Sequence, residues 1–206
     1  MKQLVFATEN PGKLREVSTF AANYDIEIFS PTQAGLSTEK VEETGNSYQE
    51  NARLKIEPYL RQEAAKKFVI CGDDSGMEIE VLSREPGIYT RRWNGREMSD
   101  EEIIKYALDK LKGKKNRKVT SRTVLAYSNK GNPVAYVEGE LNGRIAEKSF
   151  DVPRQEGFPF RQIFIVEGQP EIPMWKFDEL TLEQRNGRLS HREQAFLKLF
   201  QVIGWV

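Results

Sequence analysis

The most informative stretch of the sequence reads Leu4-Val5-Phe6-Ala7-Thr8-Glu9-Asn10-Pro11-Gly12-Lys13. It is a short apolar run followed by a polar loop that contains proline and glycine. Leu14, Val17 and Phe20 then recur at the spacing of a helix face. The order strand, loop, helix is typical of α/β proteins, so this stretch predicts the start of such a fold.

The rest of the sequence adds helices and further strands. The apolar residues 68–72 stop at Asp73-Asp74-Ser75-Gly76, and residues 77–81 then alternate, which predicts a strand, an acidic turn and a second strand. Residues 47–67 are compatible with a long helix that Pro58 should bend or break. Residues 117–127 and 133–141 predict a hairpin. Together these features favour an α/β fold with a mixed sheet and flanking helices.

Composition excludes several classes of protein. The chain has 206 residues, with 31 Lys and Arg against 31 Asp and Glu, so there is no net charge to attract nucleic acid or an anionic membrane. The basic residues 110–118 lack interleaved aromatic residues and are interpreted as a solvated loop. No apolar run approaches the ~20 residues of a membrane span. We expect one domain over residues 1–206, with no nucleic-acid or membrane partner.

Two residue types are nearly absent. The single cysteine, Cys71, cannot form a disulfide within the chain, and the single histidine, His191, cannot build a histidine-rich metal site. Any metal would therefore be held by carboxylates. The apolar run at residues 4–7 is also too short for the core of a signal peptide, so a cytoplasmic location is the expectation.

Two segments could bind a nucleotide phosphate or a metal. The loop from Thr8 to Lys13 could present backbone N–H groups and an ammonium to a phosphate, although a helix cap with a solvated lysine is the simpler interpretation. Asp73 and Asp74 could bind Mg²⁺ or orient a water molecule, although an Asp-Asp-Ser-Gly sequence is commonly just a turn.

Two further segments are ambiguous when each is considered alone. The glutamates of Glu42-Glu43-Thr44-Gly45 could form a solvated surface. Ser190-His191-Arg192 suggests a catalytic triad, but sequence neighbours do not supply the required geometry and His191 has no acidic residue beside it. These three residues could instead hold a base edge or a phosphate, or simply cap a helix.

Taken in order, these segments resemble the inosine/xanthosine triphosphate pyrophosphatase family. The matching blocks are Ala7-Thr8-Glu9-Asn10-Pro11-Gly12-Lys13-Leu14-Arg15-Glu16, Glu43-Thr44-Gly45 with Glu50-Asn51-Ala52, Asp73-Asp74-Ser75-Gly76, Pro86-Gly87-Ile88-Tyr89 and Ser190-His191-Arg192-Glu193-Gln194-Ala195. They span nearly the whole chain, which makes the resemblance specific.

The resemblance implies an elongated α/β fold with two lobes around a nucleotide-binding cleft, in a protein that forms a homodimer. It implies Mg²⁺-dependent hydrolysis of non-canonical purine nucleoside triphosphates (ITP, dITP and XTP) to the monophosphate and pyrophosphate. By similarity, the triphosphate is bound by Thr8, Asn10, Lys13 and Lys55; the metal by Glu43, Asp74 and Asp73; and the base by Phe158, Phe160, Arg161, Arg185, Ser190, His191 and Arg192. Asp74 would direct the attacking water.

The chain departs from the family pattern near the expected base pocket. Gly157-Phe158-Pro159-Phe160-Arg161 stands where the family has Gly-Phe-Gly-Tyr-Asp, so Arg161 replaces an acid, while both phenylalanines could still stack on a base. The resemblance implies that Arg185 stands in place of a family lysine and that Arg91 replaces a small residue. Two alternatives therefore remain: a nucleotide sensor of the same fold with little turnover, and a pyrophosphatase shifted to another base through Arg161.

Overall fold

The computed structural model of the protein describes residues 2–39, 41–153, 155–168 and 170–206. The strands are β1 (Lys2–Phe6), β2 (Ile26–Phe29), β3 (Val69–Ile79), β4 (Glu85–Gly87), β5 (Lys118–Asn129), β6 (Ala135–Ile145), β7 (Phe164–Val166) and β8 (Ile172–Pro173). The α-helices are α1 (Pro11–Ala22), α2 (Tyr48–Leu60), α3 (Asp100–Lys110), α4 (Met174–Phe177) and α5 (His191–Val202). Short 3-10 helices include Glu63–Lys67 and Pro159–Gln162.

The strands form a mixed sheet of eight strands, in the order β2-β1-β3-β5-β6-β7-β8 with β4 beside β3. β1 is parallel to both β2 and β3, and the register pairs Leu4 with Ile28 on one side and with Val69 on the other. β4, in contrast, is antiparallel to β3, and β7 is antiparallel to β6 and β8. The α/β fold with a mixed sheet, predicted from the sequence, is therefore confirmed.

The chain divides into two compact units. The first comprises Met1–Ser75, Thr123–Gly139 and His191–Val206, and the second comprises Gly76–Arg122 and Glu140–Ser190. Their association as a single domain stays a prediction. Among the residues described, no helix combines the length and the apolar character that crossing a membrane requires.

The first unit buries aliphatic and aromatic residues around β1 and β3. Val5, Ile56 and Ile70 belong to one apolar cluster beneath α2. On the side of α1 and α5, the ring of Phe6 meets Phe196 edge-to-face at 5.1 Å. Because these side chains come from both ends of the sequence, their burial fixes α5 on the same unit as the N-terminal strand.

The second unit has its own core. Ile103 and Ala107 lie on the apolar face of α3, and Leu111 is its C-cap residue; all three are buried with residues of β6, β7 and α4. Ser99 starts α3 in a capping box, since its hydroxyl accepts from the Glu102 N–H while the Glu102 carboxylate accepts from the Ser99 N–H.

One local prediction was wrong. Asp73, Asp74, Ser75 and Gly76 do not form a turn but lie within the continuous strand β3. Strands on both sides of β3 satisfy its backbone, and paired cations allow its acidic residues to be buried. Residues 47–67 are helical but interrupted, since α2 ends at Leu60, two residues after Pro58, and a 3-10 helix follows.

Gly72 gives a test of how closely α2 packs on β3. A Cβ atom at Gly72 would lie 2.9 Å from the Ala52 carbonyl oxygen and 2.9 Å from Ile56 Cγ2. We expect Gly72→Ala to lower the free energy of unfolding by about 1–3 kcal/mol, because backbone atoms must move to accept the methyl group. Urea unfolding measures this change. The control is Lys118→Ala, at an exposed strand position, which should change the free energy of unfolding by less than about 0.5 kcal/mol. If Gly72→Ala were as stable as the wild type, the close packing of α2 on β3 would be contradicted.

Candidate active site

The loop between β1 and α1 holds three of the residues expected at the triphosphate. Asn10 is the N-cap of α1, and its side-chain oxygen accepts from the N–H groups of Gly12 at 2.8 Å and Lys13 at 3.2 Å. Thr8 Oγ1 accepts from the Asn10 N–H at 3.2 Å. The backbone N–H groups that were expected to bind a phosphate are therefore partly used by the helix cap. The ammonium of Lys13 is then the main group here that can bind a phosphate.

Asp73 is the most completely buried charge of the first unit. Its two oxygens accept from Lys13 Nζ at 3.1 and 3.0 Å, and its Oδ2 also accepts from Arg192 Nε at 3.2 Å and Ser75 Oγ at 2.9 Å. Arg192 is paired on its other side with Glu16, at 2.6 Å. Although burial opposes ionisation, Lys13 and Arg192 outweigh it and hold the pKa of Asp73 well below its usual range.

Two expectations concern this arrangement, and both stay predictions. Asp73 is expected at the metal, and its oxygens accept from Lys13, Arg192 and Ser75, so it also organises the cations. Arg192 is expected at the base, and its buried guanidinium is directed at the carboxylates of Asp73 and Glu16. A buried guanidinium needs such partners, which the sequence alone could not identify.

Asp74 lies in a different environment, although it follows Asp73 directly. Side chains alternate along a strand, so neighbours point to opposite faces. Asp74 Oδ2 accepts from Asn51 Nδ2 at 3.1 Å, and Oδ1 accepts from the Ser75 N–H at 3.0 Å. Burial raises the pKa of Asp74 to about 6, against the opposing effects of Lys55 and Asn51. Its carboxylate is therefore a stronger base than an ordinary aspartate, as the direction of a water molecule requires.

Lys55 joins Asp74 to Glu43. Its ammonium lies 3.1 Å from Glu43 Oε1 and 4.0 Å from Asp74 Oδ1, and it donates to the Asp73 carbonyl oxygen at 2.7 Å. Lys55, Glu43 and Asp74 therefore form one group of charges, and the Lys13 ammonium lies near enough to oppose the rise in the pKa of Asp74. Their shared role in a site that processes phosphate stays a prediction.

The carboxylates of Glu43 and Asp74 could hold a divalent metal ion. Both contact one cation, the Lys55 ammonium. Across residues 2–39, 41–153, 155–168 and 170–206, no three histidine, cysteine or acidic side chains converge on one point. Magnesium at phosphate-processing sites commonly uses one or two carboxylates, with substrate oxygens and water completing its shell. Two carboxylate oxygens of this kind are therefore a sufficient protein contribution.

Ser190 and His191 stand at the start of α5. Ser190 is buried, and within the described part of the chain the Nδ1 atom of His191 is buried without a hydrogen-bond partner. Burial holds the pKa of His191 well below its ordinary value, and the neighbouring Arg192 charge acts in the same direction. His191 is therefore neutral at physiological pH, and its Nδ1 could accept or donate a hydrogen bond according to its tautomer.

The second unit holds the other residues expected at the base, and three of them have structural contacts. Phe160 is 7% exposed and packs in the core, with its ring 6.4 Å from that of Trp93. Arg185 is also buried and lies over the Phe177 ring at 4.7 Å. Both side chains therefore pack within the second unit, and their roles at the base stay predictions. Phe158, which is half-buried, stays a candidate for stacking.

The guanidinium of Arg161 donates its hydrogen bonds within the second unit. Its Nε donates to Asp178 at 2.8 Å, and its Nη2 donates to the Trp175 carbonyl oxygen at 3.0 Å. The expectation that Arg161 selects the base assumed a guanidinium directed at the substrate. The pairing with Asp178 gives the substitution a structural explanation, because the positive charge is balanced within the same unit.

Asn51, Glu16 and Ser75 also contact the site residues, although no role was predicted for them from the sequence. Asn51 precedes Lys55 by four residues on α2, so both side chains lie on the same helix face. Helical spacing from Lys55 could therefore have identified Asn51. Glu16 lies three residues after Lys13 on α1, and the same spacing applies.

Comparison with known proteins identifies the family of the chain. The sequence model of the Ham1 family matches residues 4–202. The chain is 37% identical over 206 residues to the dITP/XTP pyrophosphatase of Bacillus subtilis (strain 168), covering 98% of each protein. It is 33% identical over 205 residues to the dITP/XTP pyrophosphatase of Caldanaerobacter subterraneus subsp. tengcongensis, covering 98% of this chain and 96% of the relative.

Solved structures agree with the sequence comparison. The Staphylococcus aureus Ham1 protein superposes with a TM-score of 0.74 at 30% identity and covers 98% of both chains. A HAM1 protein from Coxiella burnetii gives a TM-score of 0.76 at 27% identity over 100% of both chains. The resemblance inferred from sequence blocks is therefore confirmed.

The burial of His191 predicts a specific dependence of stability on pH. Its pKa is about 6.5 in the unfolded chain and well below that when folded, so under pH 6.5 the unfolded state binds a proton that the folded state excludes. Stability from this residue is present above pH 6.5 and is lost as pH falls, by up to about 1.4 kcal/mol per pH unit.

Denaturant unfolding of the wild type and His191→Gln from pH 7.5 to 5 measures this effect. His191 is the only histidine, so the variant removes the whole contribution. We expect the stability of the wild type relative to the variant to decrease steadily below pH 6.5. Parallel stability curves for the two proteins would show that His191 is not held neutral.

Proposed function

Because the chain belongs to the Ham1 family, we propose that it hydrolyses non-canonical purine nucleoside triphosphates such as dITP and XTP to the monophosphate and pyrophosphate. The observation that carries this proposal is the pairing of Lys13 with Asp73, directly beside Asp74 in β3. A cation that can bind polyphosphate and a carboxylate that can direct water therefore lie on the same unit. The relatives named dITP/XTP pyrophosphatase, at 33–37% identity, support the choice of substrate.

The reaction requires a group that directs the attacking water and cations that stabilise the charge on the phosphates. Water attacks the α-phosphorus, the bond from that phosphorus to the bridging oxygen breaks, and negative charge grows on the pyrophosphate that leaves. Asp74 orients the water and accepts its proton. The half-buried ammonium groups of Lys13 and Lys55 stabilise the charge on the phosphates, and their restricted contact with solvent strengthens that effect.

Magnesium is the metal that we propose for this site. Glu43 and Asp74 would hold it, since both carboxylates contact the Lys55 ammonium. When bound, the metal neutralises phosphate charge and polarises the phosphoryl oxygens. Lys55 must then exchange part of its contact with these carboxylates for contact with the phosphates.

The two alternatives left open by the sequence, a nucleotide sensor and a pyrophosphatase for another base, have less support from the geometry. A sensor without turnover would not need a buried carboxylate with raised pKa beside Lys55, and Asp74 is such a group. A shift to another base through Arg161 would need that guanidinium at the substrate, whereas Asp178 and the Trp175 carbonyl oxygen accept its hydrogen bonds. The homodimer and the cytoplasmic location stay predictions.

A substrate panel tests the function directly. Pyrophosphate release is measured from ITP, dITP, XTP, the canonical triphosphates and modified pyrimidine triphosphates, each with Mg²⁺ and with EDTA. We expect release from the inosine and xanthosine nucleotides only with the metal, and at least about tenfold lower kcat/KM for ATP. Tight nucleotide binding without product would instead support the sensor.

Replacement of Asp74 tests the mechanism. We expect Asp74→Asn to lower kcat at least about a hundredfold, because the amide cannot accept the proton of the attacking water. Nucleotide affinity, measured by equilibrium titration, should change by less than about threefold, since Lys13 and Lys55 still bind the phosphates. Asp109→Asn makes the same change on an exposed turn of α3 and is the control. Undiminished activity of Asp74→Asn would remove Asp74 from the mechanism.

A further inference from the structure

Asn51 is a fully buried amide at the start of α2. Its side chain is 1% exposed. The Nδ2 group donates to Asp74 Oδ2 at 3.1 Å, and Oδ1 accepts from the Gly45 N–H at 2.9 Å. One carboxamide thus connects the acid that directs water to the segment that follows Glu43.

The segment before α2 is built to approach this amide closely. A Cβ atom at Gly45 would lie 2.8 Å from Asn51 Oδ1 and 2.6 Å from Glu50 Cβ, so only glycine fits without a shift. Glu50 Oε2 accepts from the Asn46 N–H at 2.6 Å, and Ser47 Oγ accepts from the Glu50 N–H at 3.1 Å. The first turn of α2 therefore fixes the chain two residues after Glu43.

We propose that Asn51 is a positioning residue, whose carboxamide fixes the Asp74 carboxylate relative to the Glu43–Gly45 segment. The inference rests on the proposed function, because it assigns Asp74 and Glu43 to water and metal. Asn51 need not touch the substrate. Its effect is to keep Asp74 in one rotamer, so that the carboxylate is already oriented when the nucleotide binds.

An amide is the group that this position requires. Asparagine supplies a donor and an acceptor from one short planar side chain, whereas aspartate when ionised supplies acceptors only. Aspartate at this position could still accept from the Gly45 N–H, but it would lose the donor to Asp74 and place two carboxylates side by side. The substitution therefore separates the two functions of the amide.

The experiment compares Asn51→Asp with Gln49→Glu, which makes the same change of charge on an exposed position of the same helix. Pyrophosphate release is measured at saturating Mg²⁺ with dITP, and rates are normalised to the folded fraction from unfolding curves. We expect kcat of Asn51→Asp to fall about tenfold to a hundredfold, the usual effect of losing a hydrogen bond to a charged group. KM should change less than about threefold, and Gln49→Glu should match the wild type.

Several outcomes would overturn the inference. An unchanged kcat for folded Asn51→Asp would assign the amide a purely structural role, and so would a loss that appears in KM alone. If Asn51→Asp does not fold, Asn51→Ser is measured instead and judged by the same kcat and KM criteria. If neither variant folds, the inference is also overturned, because Asn51 then has only a structural role. The proposed function fails separately, if the wild type itself releases no pyrophosphate from any nucleotide in the panel.

Discussion

The structure of the first unit depends on one buried negative charge. Asp73 is fully buried in β3 and is ionised because Lys13 and Arg192 contact it. Removing a carboxylate from water is costly unless its oxygens are paired and hydrogen-bonded. The two cations come from α1 and α5, at opposite ends of the sequence, so satisfying this one charge fixes both helices against the strand that also carries Asp74.

The same strand gives two neighbouring carboxylates different chemical properties. Asp73 is surrounded by cations and stays ionised, whereas burial raises the pKa of Asp74 against the smaller opposing effects of Lys55, Asn51 and Lys13. Acid–base sites commonly separate adjacent carboxyl groups in this way, so that one organises the site and the other exchanges protons. The alternation of side chains along β3 is the structural cause of the separation.

The base-recognition residues were the least predictable part of the site. Phe160 and Arg185 have the residue types of base contacts, but they are buried among apolar and aromatic side chains of the second unit. Arg161 replaces a family acid and is balanced by Asp178, a residue 17 positions away, and no sequence pattern connects the two. Residue type alone cannot distinguish a side chain that reads a ligand from one that packs in a core.

The sequence by itself determined the α/β class and the family, because periodicity and short motifs are local properties of the chain. The resemblance to that family also predicted the group of Lys13, Glu43, Lys55 and Asp74. The tertiary structure alone decided that the acidic segment is a strand, that Arg192 pairs with Asp73, and that Asn51 supports Asp74. Pairing partners of buried charges are set by which distant elements meet in the fold, and no local pattern records that.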